Sequence, residues 1–148
     1  MTLSVLLIED EAMIRMLIAD MVESLGHRVA AEAGDIRQAT ELAQSAAFDL
    51  AIIDVNLHGA MSFPIAEVLT ARRVPFIVAS GYGSNVTSDR YGQHVVIQKP
   101  FTIDTLESAI VQTMEARGRR PSLQKRRAKA SAAMSVKGSL GESLSARR

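Results

Sequence analysis

Four short aliphatic runs between residues 3 and 97, separated by helix-period patterns, constrain this chain more than any other feature. Leu3–Ile8 is nearly unbroken aliphatic sequence, and Phe48–Ile53 repeats it with Asp49 as the exception. Phe76–Ala79 and Val95–Ile97 follow. Runs this short and this uniformly apolar mark strands covered on both faces, as in a parallel sheet. Arg28–Ala31 is a weaker fifth strand candidate.

Between the runs the apolar period becomes helical. Over 12–25, Met13, Leu17, Met21 and Leu25 recur at four-residue spacing, with Ile14, Ile18 and Val22 in the neighbouring row. One broad apolar stripe facing the core is expected, its methionines included. Asp35 with Gln38 three residues on predicts a capping box opening a helix that buries Ala39, Leu42, Ala43 and Ala46. Pro64 suits the first turn of a helix to about Ala71. Thr102 is the N-cap candidate for a helix using Ile103, Leu106, Ile110 and Met114. The order is βαβαβαβ, a short irregular stretch, then βα. It predicts an α/β fold, a five-stranded parallel sheet with helices on both faces. Right-handed crossovers place every loop that follows a strand on one edge. Ligands of such sheets sit at that edge, at the topological switch point.

The strand-end rule gathers Glu9-Asp10, Asp54, Ser80-Gly81 and Lys99-Pro100 there. Two like charges 4 Å apart repel by roughly 4 kcal/mol at an effective dielectric near 20. Either a carboxylate holds a proton or a cation joins the cluster. The chain has no Cys, and no His pair falls on these strand ends. An all-oxygen site of this kind suits Mg²⁺. A cation held by Glu9, Asp10 and Asp54 could also hold a phosphoryl group, with Lys99 and Ser80 binding its remaining oxygens.

Composition narrows the class. Absence of Cys excludes disulfides, thiolate metal sites and a Cys nucleophile. The first apolar run stops at Glu9-Asp10-Glu11, too short for a signal segment or a membrane span, so a cytoplasmic protein is expected. Residues 1–116 hold 7 Lys and Arg against 15 Asp and Glu, net −8. Residues 117–148 hold 10 against one, net +9. From 117 on the apolar pattern is lost, which predicts a mostly disordered basic tail following one domain over 1–116.

Four segments together resemble the receiver domain of two-component response regulators: Leu6-Leu7-Ile8-Glu9-Asp10-Glu11, Ile52-Ile53-Asp54-Val55-Asn56, Ala79-Ser80-Gly81 and Lys99-Pro100-Phe101. The match spans residues 3–116. Val74-Pro75-Phe76-Ile77-Val78-Ala79-Ser80-Gly81-Tyr82-Gly83 further resembles a single-domain, alphaproteobacterial subgroup with a Phe-Ala-Thr-Gly-Tyr-like signature, thought to pair with atypical histidine kinases. The resemblance implies a flavodoxin-like sheet and a stand-alone signalling switch without a DNA-binding output domain, not a turnover enzyme. It implies that Asp54 accepts a phosphoryl group from a histidine kinase or histidine phosphotransferase. Glu9, Asp10, Asp54 and the main-chain carbonyl of Asn56 would hold Mg²⁺. Ser80 would be the switch hydroxyl, Lys99 would pair with the phosphoryl group, and Lys99-Pro100 would be a cis peptide. An unknown downstream protein and a homodimer formed on phosphorylation are further implied partners; a phosphate sink or relay intermediate is the alternative role.

Three departures from the family pattern stand out. Val96 occupies the usual aromatic switch position, and Tyr82 is the candidate to replace it. The interval from Ser80 to Lys99 is short, predicting a stunted fourth helix. The turn after Asp54 reads Leu57-His58-Gly59 where many receivers carry Met-Pro.

Two other classes compete. An Asp-nucleophile phosphohydrolase usually needs a carboxylate two residues after the nucleophile, where this chain has Asn56. A nucleic-acid or acidic-membrane binder would act through the tail, which has no Phe, Tyr or Trp for stacking. His27, His58 and His94 are expected at the surface or sheet edge, and Glu11 in a solvated turn or as a helix cap.

Overall fold

The computed structural model describes residues 1–81, 91 and 94–118. Tyr82, the expected short fourth helix and most of the basic tail lie outside the described residues. Strands β1 (Ser4–Ile8), β2 (Arg28–Ala33), β3 (Leu50–Asp54), β6 (Phe76–Ser80) and β7 (Val95–Gln98) form one parallel sheet in the order β2-β1-β3-β6-β7. Helices α1 (Ala12–Ser24), α2 (Ile36–Ser45) and α3 (Phe63–Ala71) connect successive strands, and α4 covers residues 103–118. The sheet, α1 to α3 and α4 as far as Met114 belong to the compact unit Met1–Met114.

Strand alternation sorts the core into two layers. Leu6, Ile8, Ala51, Ile53, Phe76 and Val78 pack on one face with Ala39 and Ala43 of α2 and Ile65, Ala66 and Leu69 of α3. Val5, Leu7, Leu50, Ile52, Ile77 and Ala79 pack on the other with Ile18 and Val22 of α1 and Leu106, Ala109 and Ile110 of α4. Strands buried on both faces must be apolar at every position, which is why they read as unbroken runs. Edge strand β2 alternates exposed and half-buried residues, so its signal is weaker.

The caps hold the helices as the local sequence dictates. Asp35 Oδ1 accepts the Gln38 N–H at 2.8 Å, and Gln38 reaches back to the Gly34 N–H at 3.4 Å. Thr102 Oγ1 accepts the Thr105 N–H at 3.2 Å. Glu11 occupies the N-cap of α1 but makes no side-chain cap; its N–H instead donates to Glu9 Oε2 at 3.1 Å.

The broad stripe expected on α1 is corrected. Ile18 and Val22 are buried, whereas Met13 is 84% exposed and Leu17 56%, with Met16 also exposed. A sheet face covers only one side of a helix. Seven apolar residues over four turns wrap further than that side, and the Met13–Leu17 row is left outside.

Candidate functional site

β1 pairs with β2 on one side and β3 on the other, so the chain leaves the ends of β1 and β3 in opposite directions and opens a crevice there. Ile8 and Ile53 are register partners, so the next residues, Glu9 and Asp54, stand side by side. Asp54 ends β3 opposite Ala79, and Ser80 ends β6 opposite Gln98, one residue before Lys99. The strand ends thus bring Glu9, Asp10, Asp54, Ser80 and Lys99 to one edge.

Glu9, Asp54 and Ser80 are buried and Asp10 is half-buried. Glu9, Asp10 and Asp54 each offer a carboxylate oxygen within 4.8 Å of the others'. The Lys99 ammonium donates to Glu9 Oε1 at 2.7 Å and to Asp54 Oδ2 at 3.0 Å. Its backbone N–H donates to the Ser80 carbonyl at 2.7 Å, and the Lys99-Pro100 peptide is cis. Asn56 is exposed; its N–H faces Asp54 Oδ1 at 3.4 Å, and its side-chain oxygen accepts the Gly59 N–H at 2.7 Å.

Electrostatics separate the acids. Burial, then the hydrogen bond to Asp10, pushes Glu9 up to about 7, against the opposing pull of Lys99 and the Glu11 N–H. Burial acts to raise Asp10 too, but bonds to Glu9 and the His58 N–H and the charge of His58 win and hold it below the usual carboxylate range. Burial acts to lower Lys99, and its bonds to Glu9 and Asp54 overcome that and raise it. The Lys99 ammonium reaches two of the three carboxylates, Glu9 and Asp54, so the trio is short of positive charge once Glu9 ionises. Oxygen donors alone, crowded and under-compensated, fit a hard divalent cation such as Mg²⁺.

The departure at 57–59 has a structural reason. Asn56–Leu57 (β4) pairs antiparallel with Ala60–Met61 (β5) across a two-residue turn. His58 and Gly59 there have φ of 52° and 86°, the left-handed pair that suits such hairpins. The His58 N–H donates to Asp10 Oδ2 at 2.9 Å. A proline at 58 has no N–H and could not hold Asp10 this way.

Val96 is exposed at the position where receivers usually carry an aromatic. Two contacts carry no advance signal in residue type or spacing. Arg15 donates to the main-chain carbonyl of Glu9 at 2.6 Å, and the buried hydroxyls of Ser62 and Tyr91 lie 3.2 Å apart. No helix among the described residues is long and apolar enough to cross a membrane.

Comparison with known proteins agrees with this geometry. The family described as the response regulator receiver domain matches residues 5–111. The transcriptional regulatory protein PdtaR of Mycobacterium tuberculosis is 34% identical over 110 residues, covering 72% of this chain. The chain spans about half of that relative's length, 54%. The solution structure of SdrG from Sphingomonas melonis aligns with a TM-score of 0.65 at 33% identity, over 77% of this chain and 94% of SdrG. The receiver domain of the Erythrobacter litoralis PhyR response regulator aligns at 0.68 and 33%, over 76% and 90%. With the sheet order, the edge cluster and the matched sequence in agreement, this chain belongs to the response regulator receiver domain family, a signalling module of two-component systems rather than a turnover enzyme.

Proposed function

We propose that this receiver domain is a phosphoacceptor switch of the kind with the Phe-Ala-Thr-Gly-Tyr-like signature, with Asp54 as the acceptor. One observation carries the reading. The Asp54 carboxylate ends a buried strand beside Glu9 and Asp10, with the Lys99 ammonium 3.0 Å away. In the proposed step an Asp54 oxygen attacks the phosphorus of a phosphohistidine. The O–P bond forms as the N–P bond breaks, and the imidazole keeps the electron pair. Glu9, Asp10, Asp54 and the Asn56 carbonyl would hold Mg²⁺, which when bound would supply positive charge to the phosphoryl oxygens. Lys99 exchanges its contact with Asp54 for one with the phosphoryl group, and the Ser80 hydroxyl takes another oxygen.

The partner class is a histidine kinase or histidine phosphotransferase, and the output is altered binding of a downstream protein in the cytoplasm. Receiver chemistry is assigned to 1–116, and 117–148 is a basic tail outside it. Phosphotransfer from purified, phosphohistidine-loaded kinases tests the reading. Wild-type protein should take up phosphate within minutes in the presence of Mg²⁺, and Asp54→Asn should not. Equal uptake by Asp54→Asn would refute the acceptor assignment.

A further inference from the structure

Glu9 and Asp10 lie beyond the last residue of β1. Their carboxylates stay at the edge only if the short connection to α1 is held. The peptide joining them is the critical unit, because its rotation would swing the Asp10 side chain away from Asp54. Mutual repulsion among the carboxylates favours that rotation.

Arg15 opposes it from the first turns of α1. Its Nη1 donates to the Glu9 carbonyl, the oxygen of that same peptide, at 2.6 Å. Its Nε lies 3.5 Å from Glu32 Oε1 on β2. Gly34, just past β2, leaves the space: a Cβ there would stand 2.9 Å from Arg15 Nη1 and 3.7 Å from the Glu9 carbonyl oxygen. The guanidinium is therefore wedged between the Glu9 carbonyl, the Glu32 carboxylate and a residue without a side chain. A planar guanidinium can hydrogen-bond the carbonyl through Nη1 while its Nε stays in ion-pair range of Glu32, a fixed geometry that a lysine ammonium does not reproduce.

We propose that Arg15 is a positioning residue for the cation site: it pins the peptide between Glu9 and Asp10 and keeps the Asp10 carboxylate turned toward Asp54. This rests on reading Glu9, Asp10 and Asp54 as a Mg²⁺ site. Its direction is distinctive. A cation near a cation site disfavours metal, so Arg15 acting as a charge alone would weaken Mg²⁺ binding. Acting as a positioner, it strengthens binding.

The test is Mg²⁺ titration of the full ¹⁵N-labelled chain, read from amide shifts, at low and high salt. Arg15→Ala should weaken Mg²⁺ about 10-fold, the low end for residues behind a metal's ligands because it acts through the main chain. Arg15→Lys, which keeps the charge and loses the fork, should weaken it at least as much. Gly34→Ala displaces the guanidinium without removing it; it should weaken binding alone and add nothing once Arg15→Ala is present. Arg15→Lys and Gly34→Ala carry the comparison even where Arg15→Ala does not fold. In metal-free protein, the Glu11 N–H, bonded to Glu9 Oε2, should exchange faster in every weakened variant. Unchanged or tighter binding in the Arg15 variants would overturn the inference alone. So would a Gly34→Ala effect that persists in the Arg15→Ala background. Wild-type protein that binds no Mg²⁺ would overturn the site reading and this inference with it.

Discussion

Replacing Lys99 by Met removes the only ammonium that the described residues bring to the acidic edge while keeping most of the side chain's length. The wild-type contacts are at 2.7 Å to Glu9 and 3.0 Å to Asp54. At an effective dielectric near 20, each is worth roughly 5–6 kcal/mol before desolvation. Most of that offsets the burial of the ammonium, and removing one partner of a buried pair costs about 3–5 kcal/mol net. Protonation of Glu9 modulates the loss. Its folded pKa of about 7 exceeds the ordinary carboxyl value of 4.5, so near pH 5 it is already neutral and mainly the Asp54 contact is lost, about 2 kcal/mol. Above pH 7 the variant retains a proton that the wild type releases. The gap then widens by up to about 1.4 kcal/mol per pH unit. Urea unfolding followed by circular dichroism between pH 5 and 8, with and without Mg²⁺, measures this. The loss should grow with pH, and saturating Mg²⁺ should return most of it by binding only the folded state. A loss equal at every pH and untouched by Mg²⁺ would refute the charge argument.

Other outcomes follow from the same geometry. Asp10→Asn at about pH 8, where Glu9 is ionised, should stabilise the metal-free protein by about 1 kcal/mol through reduced repulsion while weakening Mg²⁺ binding; a destabilised metal-free variant would count against the cluster. Because Glu9 is raised to about 7, its stabilising contribution is complete below pH 4.5 and lost as pH rises through 7. Mg²⁺ competes for the same oxygens, so calorimetry should find binding weakening from about pH 8 to 6 with proton release, and a flat profile would contradict this. Leu17→Glu should change stability by no more than about 0.5 kcal/mol, whereas Ile18→Ala should cost about 2–5 kcal/mol. Equal costs in denaturant melts would restore the broad buried stripe.

Much of this arrangement is legible in the sequence because of how parallel sheets work. β1, β3 and β6, covered on both faces, must be apolar at each interior position, and the carboxyl ends of these strands and of edge strand β7 must share one edge. The meeting of Glu9, Asp54, Ser80 and Lys99 therefore follows from strand ends alone. Elsewhere the same reasoning stops short. Periodicity counts the apolar residues of α1 but not the width of the surface they meet, so by itself it places Met13 and Leu17 inward. The His58-Gly59 turn could be noticed as a departure, but its use, presenting an N–H to Asp10, depends on a contact 48 residues away in sequence. Arg15 bonds a main-chain carbonyl, which no residue pattern announces.

The most direct test of the central claim is covalent. Full-length protein is incubated with a small phosphodonor such as acetyl phosphate, with Mg²⁺ or with EDTA, and the acyl phosphate is trapped by borohydride and located by peptide mass spectrometry. A single phosphoryl group on Asp54, formed with Mg²⁺ and absent with EDTA, is the predicted result. Modification at another residue, or the same yield on Asp54 without a divalent cation, would contradict the account.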